Sequence, residues 1–160
     1  YNLSGNYANR LAAKYATTPP INTAGSSTLT LRFRRWLRVR NNDPAVIEAS
    51  VNGTTWSEVW SSSGAVADTA WREVQYALPD GIAGSPSVRL RWGLSSNPAQ
   101  NDLGWNLDDV ELLGDGAVDV TPPAALLSVA DLNVGGSPSH ACNVTFTDVV
   151  AVRLASLDTG

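Results

Sequence analysis

The side chains with the most distinctive chemistry lie in residues 29–40, where alternate positions are cationic or aromatic: Arg32, Arg34, Trp36, Arg38 and Arg40. Guanidinium groups pair with carboxylates and phosphates, and an indole offers a flat surface for stacking. The row therefore predicts either a surface that binds an anionic polysaccharide or a nucleic acid, or a ladder of charge pairs with Glu48 and Glu73 on neighbouring strands. Of these two interpretations we favour the ladder. The net charge of −4 argues against a nucleic-acid partner.

If residues 29–40 do carry a ligand surface, its residues would be Trp36, Arg34 and Arg38. Trp60 joins them as a second indole that we expect to be exposed and able to stack on a sugar. The other four tryptophans occupy positions where large aromatic side chains usually pack in a core or half-core. These are Trp56, Trp71, Trp92 and Trp105.

Two further groups of residues could do chemistry. Asp108 and Asp109 suggest a calcium site, because hard cations prefer several carboxylate and carbonyl oxygens. The alternative is that one of these carboxylates caps a turn or pairs with an arginine while the other faces water.

His140 and Cys142 could form a nucleophilic pair, but no orienting group or oxyanion site accompanies them. Zinc spacings, phosphate-binding loops and dinucleotide fingerprints are also missing. The sequence predicts a protein that is not an enzyme.

The element that must position the row is a long strand. Apolar residues occupy the odd positions of residues 29–40, and a period of two predicts a strand with one buried and one wet face. Arg35 alone breaks the pattern. It predicts either a bulge after Phe33 or an arginine with a buried carboxylate partner.

Further strands are predicted at intervals of about ten residues, with turn signals between them. Asn52-Gly53 is the strongest of these signals and predicts a two-residue type I′ hairpin turn. No convincing amphipathic helix precedes residue 114, so the sequence predicts an all-β sandwich. The predicted strands are residues 29–40, 45–51, 55–60, 71–78, 88–94 and 104–113.

The chain of 160 residues is long enough for one domain and a remainder. We predict a sandwich over residues 1–114, a linker over 115–123, and two or three strands over 124–160 that cannot bury a core alone. No apolar run approaches membrane-spanning length, so we expect no membrane insertion. A single cysteine, abundant Ser, Thr, Asn and Gly, and the absence of an initiator Met favour a piece of an exported precursor.

Several phrases resemble one family. They include Leu31-Arg-Phe-Arg-Arg-Trp-Leu37, Val51-Asn-Gly-Thr-Thr-Trp56 and, most specifically, Gly104-Trp-Asn-Leu-Asp-Asp-Val110. Over residues 1–113 the chain resembles the MAM-like, cleaved-adhesin-type jelly-roll modules of bacterial secreted proteins. The tail resembles the start of a bacterial Ig-like domain through Asn143-Val-Thr-Phe-Thr-Asp148. The resemblance implies an antiparallel jelly-roll sandwich with a short C-terminal β extension.

The resemblance also strengthens the calcium hypothesis, because related jelly rolls often hold a structural calcium ion between their first and last strands. Asn6 would then join Asp108 and Asp109 as a ligand, with Asp102 and Asn106 as further candidates. The departure from the family is the arginine row itself, since the matching strand is commonly more aromatic and less basic.

Three functions follow as expectations. The first is a non-catalytic extracellular or cell-surface module that binds a polysaccharide or a protein surface. The second is a structural subunit of a filament or sheath, in which residues 120–160 donate strands to another copy of the chain. The third is an accessory domain of a secreted peptidase or glycosidase whose catalytic part lies elsewhere.

Overall fold

The chain folds into two antiparallel β-sheets, seen in a computed structural model that describes residues 5–115. Sheet I has the strand order β1-β7-β3-β4, and sheet II has β2 at its centre, between β8 on one side and β6 and β5 on the other. The predicted all-β jelly-roll sandwich is confirmed. The strands are β1 Lys14–Thr17, β2 Leu29–Val39, β3 Ala45–Ser50, β4 Ser57–Ser61, β5 Val66–Ala67, β6 Arg72–Ala77, β7 Arg89–Leu94 and β8 Gly104–Gly114.

The prediction for β2 is confirmed in detail, since buried and more exposed positions alternate along all of its 11 residues. Its odd side chains lie in the core, where Leu31, Phe33 and Leu37 are fully buried. Burying each such side chain stabilises the fold by about 1.5–3 kcal/mol. The even side chains, including the arginine row, lie on the outer face of sheet II.

Arg35 is the one charged residue on the core side of β2, and of the two predicted explanations the second holds. Its Nε lies 3.1 Å from Asp68 Oδ2, and the two side chains are only 8% and 3% exposed. Asp68 Oδ2 also accepts a hydrogen bond from the Leu37 amide. The buried guanidinium is therefore neutralised by a buried carboxylate, and β2 continues without a bulge.

A bulge does occur beside Phe33, but in the neighbouring strand β8. The register passes from Arg32↔Glu111 to Arg34↔Asp108, so two residues of β8 oppose Phe33 alone. Asp109 takes the left-handed backbone conformation (φ 50°) at this point. The inserted residue reverses the alternation of inward and outward side chains along β8. The inward residues before it have odd numbers, Trp105 and Leu107, and those after it have even numbers, Val110 and Leu112.

Sheet I closes the core from the opposite side. Val88, immediately before β7, and Leu90 and Trp92 within it are buried and form the inward face of this part of the sheet. The Trp92 ring meets Phe33 of sheet II edge-on at 5.7 Å between centroids. Trp105 donates a hydrogen bond from its indole nitrogen to the Gly93 carbonyl at 2.9 Å, which ties β8 to sheet I.

The β3–β4 connection is a hairpin, as expected, but the prediction of a two-residue type I′ turn is wrong. Six residues separate Ser50 from Ser57, and only Gly53 has a positive φ. Asn52 organises the loop through its side chain instead, because its Oδ1 accepts hydrogen bonds from the amides of Thr54 and Thr55. Local side-chain bonding thus sets the turn in place of the expected backbone geometry.

The linker beyond Asp115, the strands predicted over 124–160 and the pair His140 and Cys142 lie outside the described residues. Among residues 5–115, no helix is long and apolar enough to cross a membrane.

Candidate functional site on the outer face of sheet II

The arginine row divides into two halves with different neighbours. Arg32 and Arg34 form the first, here called the ladder half. Arg32 Nε donates to Glu111 Oε2 at 2.7 Å, and this hydrogen bond, followed by the attraction of the same carboxylate, raises the pKa of Arg32. Arg34 Nε lies 3.5 Å from Asp109 Oδ2 and is flanked across the sheet by Asp108 and Glu73. This half is a charge ladder of the kind that the sequence favoured, but one of the two predicted acids is wrong. Glu73 flanks Arg34, whereas Glu48 lies on sheet I and pairs with Arg91, so most acids of the ladder come from β8.

Trp36, Arg38 and Arg40 form the second half, here called the open half. The Nε atoms of Arg38 and Arg40 each lie 3.1 Å from a different oxygen of Asp102, so one carboxylate serves two guanidinium groups. In the register of the sheet, Arg38 is flanked by Gly104 on β8 and Ala67 on β5. These neighbours carry little or no side chain, so no acid on β8 or β5 faces Arg38 across the sheet.

Two indoles meet at the inner end of the open half. The rings of Trp36 and Trp71 pack edge to face, with 6.3 Å between centroids and 79° between planes. Trp71 is 43% exposed, whereas Trp36 is half-buried and its indole nitrogen is covered without a hydrogen-bond partner among the described residues. Asn106 holds the Trp36 backbone, since its side-chain amide donates to the Trp36 carbonyl at 3.0 Å. The pair forms a small aromatic platform on an otherwise polar sheet.

The segment that carries Trp71 surrounds a depression of about 280 Å³ lined by residues 67–72. Asp68 anchors this segment from below through Arg35 and the Leu37 amide, and Arg72 Nη1 approaches its second oxygen at 3.4 Å. Arg35 also donates to the Tyr76 hydroxyl at 3.2 Å. Through this network the buried charge pair fixes the place of Trp71 against Trp36.

The structure corrects two of the tryptophan predictions. The sequence predicts an exposed Trp60, but the side chain packs against the core, with its ring 5.8 Å from that of Trp105 and beneath the Arg35 guanidinium at 5.1 Å. A register shift between Ile47 and Glu48 explains the difference, because it turns Trp60 inward opposite Ile47. Trp60 is therefore removed from the ligand surface.

Trp71 was expected in a core or half-core position and lies instead on the surface. A signal for this was present in the sequence. Val74 and Tyr76 are the inward residues of β6, so Trp71 shares the parity of the outward residues Glu73 and Gln75. By contrast, the burial of Trp92 and Trp105 and the half-buried position of Trp56 are as predicted.

The predicted metal ligands do not come together. Asn6 donates from its side-chain amide to Asn101 Oδ1, near the start of β8. Asp108 and Asp109 lie further along the strand, separated from Gly104 by about 13 Å of extended chain. Asp109 faces Arg34, and Asp102 is engaged by Arg38 and Arg40. Within residues 5–115, no cluster of three or more acidic, histidine or cysteine side chains could hold a metal ion. Calcium binding stays a prediction.

Asp102 owes its position to a buried network at the end of the sandwich. The Tyr7 amide donates to the Asp102 carbonyl at 2.9 Å, and the Tyr7 hydroxyl donates to Asp43 Oδ2 at 2.6 Å. Burial, aided by the hydrogen bond to Asp43, raises the pKa of Tyr7 to about 12. Asp43 also accepts the Asn97 amide, so the network joins the N-terminal segment to the loops beside Asp102.

The outer face of sheet I carries a second aromatic and cationic group. The Arg91 guanidinium lies 3.9 Å from the ring centroids of both Tyr15 and Trp56, and Arg91 Nε donates to Glu48 Oε2 at 2.7 Å. The Tyr15 ring also covers Gly93, where an added Cβ would lie 2.6 Å from a ring carbon. Here the aromatic faces are occupied by the guanidinium, and the arrangement clamps β1, β7 and β3 together.

No protein-family model matches the chain, and no curated protein sequence matches it. Among solved structures, the chain is similar to one described as "CBM4 structure and function". The two are 21% identical, the match covers 67% of this chain and 79% of the other, and the TM-score is 0.40. This similarity is too distant to assign a function.

Proposed function

We propose that this chain is a non-catalytic, extracellular binding module that takes a polysaccharide on the outer face of sheet II. The observation that carries the proposal is the edge-to-face pair of Trp36 and Trp71 on the surface. Large aromatic side chains of a soluble domain are usually buried, whereas here Trp71 is exposed and packs on the half-buried Trp36. Exposed apolar groups bordered by polar residues are typical of interaction sites. The likeness to bacterial jelly-roll modules agrees with such a role, including that of an accessory domain beside a secreted enzyme.

The surroundings of the indole pair suit a sugar chain better than a small apolar ligand. Asn106 lies opposite Trp36 on the neighbouring strand, and Arg38 lies two residues further along β2. Both side chains carry hydrogen-bonding groups. The face is open and sheet-like, and the depression next to Trp71 is shallow. A sugar ring stacks its apolar face on an indole while its hydroxyls bond to polar neighbours, which is the combination present here.

The test is affinity electrophoresis of the full chain through gels that contain soluble polysaccharides, with Trp71→Ala as the decisive variant. Trp71 is exposed, so this substitution should leave the melting temperature almost unchanged. We expect it to weaken the affinity for the retarding polysaccharide by about tenfold or more, because one stacked aromatic side chain is lost. Trp56→Ala, on the outer face of sheet I, is the matched aromatic control and should still be retarded.

Two results contradict the proposal. If no polysaccharide in a panel of plant, algal, bacterial and animal polymers retards the wild-type chain, the module is not a glycan binder. If Trp56→Ala abolishes retardation while Trp71→Ala does not, the binding face is that of sheet I.

A second candidate function is the structural subunit assembled through donated strands, and one observation favours it. β8 is 11 residues long and pairs only with β2 among residues 5–115, so within this part of the chain its other edge has no strand partner. The donor would be residues 120–160 of another copy. Sedimentation of the full chain beside one that ends at Asp115 tests this function. Polymers formed by the full chain alone support assembly, and monomers in both samples exclude it.

A further inference from the structure

We propose that the polysaccharide recognised by the open half carries carboxylate groups, and that one of these carboxylates bridges Arg38 and Arg40. The inference rests on the proposed function and specifies its substrate class as a uronic-acid-containing glycan. It starts from the charge balance of the outer face of sheet II.

In the open half, one carboxylate is the ion-pair partner of two arginines among the described residues. Asp102 is almost buried and holds Arg38 with one carboxylate oxygen and Arg40 with the other. Two guanidinium groups therefore share one negative charge. Both arginine side chains remain partly exposed, at 39% and 47%. A second anion placed above the pair would meet two guanidinium groups that share a single carboxylate.

The hydrogen-bonding capacity of the two arginines is also incompletely used. A guanidinium has five N–H donors. Arg40 Nε has a distant acceptor in the Asn101 carbonyl at 3.4 Å, and Arg38 Nε makes only an ionic contact with Asp102 without an aligned hydrogen bond. Within residues 5–115, no hydrogen bond starts from the terminal nitrogens of either residue. A carboxylate is the planar group that fits two such donors at once.

The position of the pair relative to the indoles points to a sugar acid in particular. Trp36, Arg38 and Arg40 project from the same face at intervals of about 7 Å. A ring stacked on Trp36 and Trp71 would therefore hold a carboxylate substituent next to Arg38. Asp102 acts as a positioning residue in this arrangement, because it holds the two arginines side by side.

The ladder half explains why the ligand is a glycan with local acidic groups and not a densely charged polymer such as a nucleic acid. Asp108, Asp109, Glu73 and Glu111 surround Arg32 and Arg34 and would repel a polyanion that ran along β2. Favourable contact with an anion is confined to one end of the row.

The experiment measures binding of the full chain to glucuronoxylan and polygalacturonate by isothermal titration calorimetry, each beside its carboxyl-reduced form. We expect the acidic forms to bind and the reduced forms to bind about tenfold more weakly, as for the loss of one charge-assisted contact. Arg40→Gln should weaken binding of the acidic forms by a similar factor and leave binding of the reduced forms unchanged. Arg32→Gln, in the ladder half, is the matched control and should bind like wild type.

Each outcome decides between the ideas. Equal affinity for acidic and reduced forms overturns the inference but retains the proposed function. Failure to bind acidic and neutral polymers alike overturns both. If Arg32→Gln weakens binding as much as Arg40→Gln, the attraction is diffuse and the bridging site is overturned. Arg38→Gln, with its melting temperature checked, provides a second variant at the site.

Discussion

The two halves of the arginine row have the same residue type, strand and exposed face, yet opposite surroundings. In the ladder half, each arginine pairs with an acid of β8, Arg34 also faces Glu73 of β6, and the positive charge is balanced locally. In the open half, the flanking positions are Gly104 and Ala67, and one carboxylate is divided between two arginines. The difference lies in the neighbouring strands and not in the row. The role of a row of cations can therefore be inferred only together with the residues that face it from the neighbouring strands.

The halves also differ in what lies beneath them. Under the open half, the buried pair of Arg35 and Asp68 fixes the segment that carries Trp71. Under the ladder half, the core is apolar, with Phe33 and Leu31 fully buried. The binding face is therefore supported by a charged interaction in the core, and its loss should have the largest effect of any change considered below.

Replacing Asp68 by Ala should destabilise the domain by about 3–5 kcal/mol, because it leaves the Arg35 guanidinium buried and without a counter-charge. Unfolding in urea, followed by tryptophan fluorescence, measures the change. The double variant Arg35→Met with Asp68→Leu is the control, and it should recover most of the stability, since an apolar pair of similar volume avoids the unpaired charge. A loss below 1 kcal/mol for Asp68→Ala would show that the pair is not a structural support.

At the far end of the ladder half, Asp115 joins the end of β8 to the start of β2, and its effect should depend on pH. Its carboxylate accepts hydrogen bonds from the Ser27 hydroxyl and from the amides of Thr28 and Ser27, which lower its pKa well below the ordinary value of 3.8. Because the folded pKa is depressed, these bonds stabilise the fold above pH 3.8 and are lost as the pH falls through the folded value.

Asp115→Ala should therefore be less stable than wild type at pH 7, and the two free energies of unfolding should converge below pH 3.8. Denaturant unfolding at a series of pH values checks this. Ser27→Ala should reproduce part of the loss because it removes one donor. A difference that does not change with pH would contradict the assignment to the carboxylate.

The smallest effect is expected within the ladder itself. Glu111→Gln removes the partner of Arg32, whose side chain is 36% exposed, and should lower the free energy of unfolding less than Asp68→Ala or Asp115→Ala, because exposed ion pairs stabilise a fold little. A double-mutant cycle with Arg32→Gln measures the coupling. A coupling as large as the loss caused by Asp68→Ala would erase the contrast between the halves, because the ladder would then be as strong a support as the buried pair.

The sequence predicts the strands of this fold well, because the alternation of apolar side chains is a local property. The position of Arg35 on the core side, with either a bulge or a buried carboxylate to explain it, also follows from alternation alone. The identity of that carboxylate does not, since Asp68 is 33 residues away and is brought near only by the pairing of β2 with β5 and β6.

The candidate site is predicted less well than the fold, and the two misplaced indoles show the reason. Trp60 is turned inward by a shift in strand register, which leaves no mark in the local pattern. The division of the arginine row is hidden for a similar reason, because it depends on which acids and which small residues face each arginine across the sheet. Trp71 is different, because the alternation of β6 predicts that this residue faces outward.

The bulge at Asp109 has a consequence for how the gene encoding this domain can change. Before the bulge in β8 the odd-numbered residues face the core, and after it the even-numbered residues do. The single inserted residue is what keeps the apolar side chains of both ends on the same side of the sheet. Deleting that codon would preserve the chemistry of every remaining residue and still exchange interior for exterior along half of the strand. The role of this position is therefore to add one residue to the strand, and we expect substitutions of Asp109 to be tolerated far better than its deletion or a further insertion.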